Sequence, residues 1–136
     1  MNILDYIKIV LTGLGTAIGY FLGGFDIMLI ALIIFMIIDY ITGIMCAIIN
    51  HKLSSSVGFK GIFKKIAILL LIGMSTELDL IFDINLIRFA CISFYLSNEG
   101  ISILENVSII GLPVPNKIKD VLIQLKEKSE KKAEEE

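Results

Sequence analysis

The sequence predicts an all-α integral membrane protein of about four transmembrane helices, followed by a short amphipathic cytoplasmic helix at the C-terminal end. Three observations carry this. Hydrophobic residues make up 56% of the 136 positions, with a mean hydropathy of +0.85 and no Trp, against about 45–50% apolar in ordinary soluble domains. One stretch, Ile27–Ile49, runs 23 residues with a single charge, Asp39, near its middle; as a helix it reaches roughly 34 Å, enough to cross a hydrocarbon core of about 30 Å. Lysines, finally, concentrate in the acid-free stretch Asn50–Lys65 and in the tail from Lys117 on.

The first apolar stretch is roughly Tyr6–Phe25. Asp5 precedes the only nearby base, Lys8, so a cleaved signal peptide is not expected. Gly15, Gly19 and Gly23 recur every fourth residue, which on a helix gives one face where another backbone can approach closely, a helix-packing motif. Gly23-Gly24 and Asp26 then supply a turn.

In the second segment Asp39 is the informative residue. A carboxylate at that depth costs about 2.5–3.5 kcal/mol on insertion scales, so it faces a helix partner or water rather than lipid. Thr42, Gly43, Cys46 and Asn50 continue a small or polar stripe from it. Asn50–Lys65 holds His51, Lys52, Lys60, Lys64 and Lys65 and no acid, and its serines and glycines read as a loop or short interfacial turn. The positive-inside rule places it in the cytoplasm.

A third crossing is expected to start near Ile62, with Lys64 and Lys65 snorkelling to the cytoplasmic boundary, and to end outside among Glu77, Asp79 and Asp83. Asp83-Ile84-Asn85 reads as a turn. The fourth segment, about Leu86–Ile110, carries Arg88, Cys91, Tyr95, Asn98, Glu99, Ser102, Glu105 and Asn106 at steps of three and four. That spacing gathers them on one helix side. Such a stripe lines water, packs inside a polar bundle, or lies flat on the membrane surface.

Gly111-Leu112-Pro113-Val114-Pro115 ends that helix. Ile118, Val121, Leu122 and Leu125 then outline a short amphipathic helix capped by Asn116, decaying into a charge-mixed KEKSEKKAEEE tail expected to be frayed or disordered. The chain thus divides into a transmembrane domain, 1–112, and a cytoplasmic tail, 113–136. Both termini fall inside, and Asp26 and the Glu77–Asp83 acids fall outside, where they can pair with Arg88.

No nucleotide-binding, zinc-hydrolase or nucleophile-elbow motif occurs. Cys46 and Cys91 lie in apolar segments without paired spacing, and one His cannot build a histidine metal cluster. Catalysis, a cofactor, a metal site and a nucleic-acid partner are therefore not expected.

Two blocks carry a family resemblance. The run from Ile37 to Lys65 has Asp39-x-x-x-Gly43, then Leu53-Ser54-Ser55-x-x-Gly58-x-x-Gly61 closed by lysines. The run from Ile87 to Leu122 has Glu99, Ser102-Ile103, Glu105-Asn106 and Gly111-x-Pro113-x-Pro115. Together, over roughly Ile37–Leu125, they resemble the phage lysis holins that include the clostridial toxin-secretion holins. The resemblance implies a phage or prophage protein of the bacterial inner membrane that forms homo-oligomers. These open lesions that release a cell-wall hydrolase (endolysin) or a toxin and lead to host-cell lysis. It matches Asp39, Gly43, Glu99, Glu105 and Asn106 to family positions without settling their roles. The residues themselves say pore or bundle, with Asp39, Gly43, Arg88, Asn98, Glu99, Ser102, Glu105 and Asn106 as pore-lining or helix-contact candidates. A small ion-coupled exporter or ion channel, and an accessory subunit that merely packs, remain the rival readings.

Overall fold

The computed structural model describes residues 1–134. It contains five helices and, among those residues, no strand: α1 (Ile3–Phe21), α2 (Ile27–Ile49), α3 (Ser55–Phe82), α4 (Ile87–Ile110) and α5 (Asn116–Glu134). Local chemistry explains most of the boundaries. Asn2 and Asp5 close a capping box at the start of α1, each side chain accepting the other's backbone N–H at 3.2–3.3 Å. Asp26 caps α2 by accepting from Leu29 N at 2.9 Å, and Ser54 caps α3 by accepting from Val57 N at 3.2 Å. Gly23 and Gly24, at φ +84° and +102°, turn the chain between α1 and α2 in a region that residues with a Cβ avoid.

Helices α2 and α4 run parallel, with α3 antiparallel to both and α5 antiparallel to α4. Leu22, Leu29, Leu32, Met36, Ile68, Ile72, Ile92 and Leu96 form the apolar core between α2, α3 and α4. Helix α4 is the axis of the molecule, packed against α2, α3 and α5. By contrast α1 leaves Ile3, Leu4, Ile7, Val10, Leu11, Leu14 and Ile18 exposed. Its firmest anchor is Phe21, whose ring lies where a Cβ on Gly73 of α3 would be. Of the five helices, α1 and α2 are long and apolar enough to cross a membrane.

Three sequence expectations change. The segment from Asn50 to Lys65 is a loop only to Ser54; α3 begins at Ser55 and carries Lys60, Lys64 and Lys65 on the helix. Gly58 and Gly61 do not break it, because they make room for Tyr40 of α2, whose ring lies 3.1 Å from a Cβ built on Gly61. The glycine series is divided as well. Gly15 is open, Gly19 lies under the Phe25 ring, and Gly23 stands beyond the end of α1, against Arg88. Finally, the tail expected to fray is helical to Glu134, where docking on α4 outweighs its modest intrinsic preference; Glu135 and Glu136 lie outside the described residues.

Candidate functional site: a charged seam between three helices

The sequence sets a carboxylate, Asp39, in the middle of the most apolar helix, and the fold brings its partners to it. Lys65 of α3 reaches between α2 and α4, where its Nζ pairs with Asp39 Oδ2 and, at 2.5 Å, with Glu99 Oε2. The Glu99 side chain is 8% exposed and that of Lys65 17%. One ammonium between two carboxyl groups makes the seam a triad rather than a simple ion pair. Buried ions survive only when paired and hydrogen-bonded, and here three helices each supply one member.

About two turns further along α4, Asn106 ties that helix to α2. Its Nδ2 donates to Thr42 Oγ1 at 2.9 Å and Asp39 Oδ1 at 3.1 Å, while its backbone carbonyl accepts from the Cys46 thiol at 3.2 Å. Gly43 faces that amide, 3.7 Å from where its Cβ would be. A cavity of about 250 Å³ opens beside the seam, lined in part by Asp39, Lys65, Ser102, Glu105 and Asn106.

A second cluster sits about 20 Å along the helices, at the α1–α2 turn. Arg88 donates through Nε to Leu22 O at 2.7 Å, through Nη1 to Asp26 Oδ2 at 2.6 Å and through Nη2 to Gly24 O at 2.9 Å. The guanidinium holds the Asp26 carboxyl below the usual carboxylate range. Asp79, near the end of α3, accepts from Ile87 N at 2.8 Å and Arg88 N at 3.0 Å, capping α4 where Leu86 offers no side-chain oxygen.

The sequence-derived candidates therefore separate by place. Asp39, Gly43, Glu99 and Asn106 meet in the seam; Ser102 and Glu105 border the cavity; Arg88 belongs to the far cluster; Asn98 is half-buried next to Glu99. Two participants were missed. Lys65, expected to snorkel to the boundary, instead closes the seam; Asp79, expected among the outside acids, also caps the start of α4. The available signal was charge balance, since a buried Asp39 and Glu99 require a cation, and Lys65 adjoins the apolar run of α3 most closely.

No solved structure matches the chain. Among proteins of similar sequence, an uncharacterized 14.9 kDa protein of Clostridium perfringens is 40% identical over 129 residues, covering 93% of this chain and 98% of that protein. An uncharacterized protein of Listeria innocua is 43% identical over 124 residues, covering 90% and 89%. A probable holin of Bacillus phage phi105 is 34% identical over 104 residues, covering 76% and 77%. The model of the bacteriophage holin family matches residues 16–127, a range that holds the seam, the Arg88 cluster and most of α5. The chain belongs to the bacteriophage holin family, which makes it a membrane protein and not an enzyme.

Proposed function

We propose that copies of this chain assemble in the bacterial cytoplasmic membrane and open lesions through which a cell-wall hydrolase or a toxin leaves the cell, ending in lysis. The observation that carries the reading is the seam. Helices α3 and α4 hold Lys65 and Glu99, which lipid does not tolerate singly. With Asp39 they close on one another inside the bundle, so four helices cross together as one unit. We place both termini of the chain with α5 undocked, and the Asn50–Lys64 stretch, on the cytoplasmic side, in keeping with the positive-inside rule; packed on α4, α5 instead carries its C-terminal end toward Arg88. Of the two roles open to the polar residues of α2 and α4, we take helix contact for Asp39, Gly43, Arg88, Glu99 and Asn106, a reading supported by their hydrogen bonds within the chain. Exposed α1, with Gly15 open on its surface, is the flank offered to a neighbouring copy.

The test is co-expression with a wall hydrolase that lacks an export signal. Abrupt lysis is expected only when both proteins are present. A culture that keeps growing while active hydrolase accumulates in its cytoplasm would overturn the proposal. The cavity lined by Asp39, Lys65 and Glu105 favours one second reading, a small ion-coupled exporter; that reading requires proton or cation flux without release of any enzyme.

A further inference from the structure

The two flanks of the bundle call for different surroundings at the same height. Arg88 sits beside Asp26, and Glu99 reaches Asp39 through Lys65, so α4 from Phe89 to Gly100 lies level with the first half of α2. Along that half Ile27, Ile30, Ile34 and Ile37 are exposed, as is most of α1. On another side of α4, helix α5 runs back toward the Arg88 end. Leu122 packs on Gly100, the Lys126 ammonium lies 5.4 Å from the centre of the Phe94 ring, and that of Lys132 lies 4.8 Å from the centre of the Phe89 ring. Leu122 and Ser129 are buried, which turns Glu127, Lys128, Glu130 and Lys131 outward. Four charges therefore stand at the height where isoleucines face out. Hydrocarbon does not accept the first set, and bulk water does not accept the second as one continuous patch.

A boundary with lipid on one side and water on the other satisfies both. We infer that the α5-docked bundle is the protomer at the rim of an opening, with α2 and the part of α1 not covered by a neighbouring copy toward lipid, and α5 as the wall that meets water. This rests on the lesion reading above and moves the wet lining from the polar stripe of α4, which is spent on contacts within the chain, to the outer face of α5. In an isolated copy surrounded by lipid, α5 is off α4 and remains on the cytoplasmic side, joined through Gly111, Pro113 and Pro115. As copies gather and their wet flanks face each other, α5 docks; docking and opening are then one equilibrium.

The test uses the full chain with Cys46→Ser and Cys91→Ser, to which Gly100→Cys and Leu122→Cys are added. The protein is reconstituted in phosphatidylethanolamine–phosphatidylglycerol vesicles that hold a dextran of enzyme size. Oxidation ties α5 to α4. The oxidised protein is expected to release dextran at about a tenfold lower density than the reduced one, the gain when a conformer populated at about a tenth becomes the whole population. Reduction should restore the higher threshold. An oxidised form that stays silent while its reduced form releases would make α5 a strap that closes the path, and would overturn the inference.

A second readout needs no leakage: the yield of the 100–122 disulfide under mild oxidant should climb at the density where release begins. Release with a yield flat in density leaves the lesion standing and removes α5 from its wall. A climbing yield with no release at any density removes the lesion and the wall with it. Lys128→Leu with Lys131→Leu, which spares the α4 contacts, should raise the threshold; an unchanged threshold also counts against α5 as the wet face.

Discussion

At the scale of single residues, Lys65 matters more than any other side chain. Among the described residues it is the one cation paired with Asp39 and Glu99, and its loss strands two carboxyl groups in a confined space. Lys65→Met should destabilise the bundle by about 3 kcal/mol, in the range for breaking a buried ion pair from one side. Thermal unfolding in mild detergent measures it. Adding Asp39→Leu and Glu99→Leu should recover most of that loss, since an apolar replacement of a whole buried ion cluster is often near neutral. A triple variant as unstable as Lys65→Met would mean that the seam is not the origin of the effect.

The Arg88 cluster makes a separate prediction with a sign. Arg88 lowers the Asp26 pKa, so the folded chain binds that proton less readily than the unfolded chain does. The stabilisation is complete above the unfolded value, about 4, and is lost as pH falls through the lower folded value. Half of the Asp26 side chain is in water, so the effect is small. In Asp26→Asn this acid-sensitive component should vanish. Parallel loss of stability in both proteins through that window would assign the acid sensitivity to another group.

At the scale of elements, the glycines separate two kinds of contact. A methyl at Gly73 would overlap the Phe21 ring, so Gly73→Ala should cost about 1–3 kcal/mol of fold stability. Gly15 meets nothing within its own chain. Gly15→Leu should leave unfolding unchanged and weaken the ladder of crosslinked oligomers, because it acts on close approach between copies. An unaltered ladder would take α1 out of the assembly contact.

How much of this was legible in the sequence follows from the range of each signal. Turns set by Gly23-Gly24 and Asp83-Ile84-Asn85, and the break at Gly111–Pro115, are local and could be read directly. So could the need of Asp39 for a polar neighbour. Which neighbour could not: Lys65 is 26 residues away and Glu99 a further 34, and only the packing of three helices joins them. Gly58 and Gly61 misled for the same reason, since glycine beside serine is a loop signal locally while room for Tyr40 exists only in the fold. The family resemblance and the match over residues 16–127 coincide, because both depend on spacings that survive without knowledge of the contacts.

At the scale of the whole molecule, one property organises the rest: a bundle closed on itself by ions, apolar along α1 and α2, charged along the second half of α5. Such a unit gains from neighbours only when enough copies are present to enclose water, so opening should depend steeply on protein density. The most direct measurement is release of solutes graded in size, from protons to a folded enzyme, from vesicles carrying increasing amounts of the unmodified chain. The expected result is near silence up to a threshold density, then loss of small and large solutes together. Flux of protons or small cations in simple proportion to protein, with the enzyme retained at every density, would contradict it.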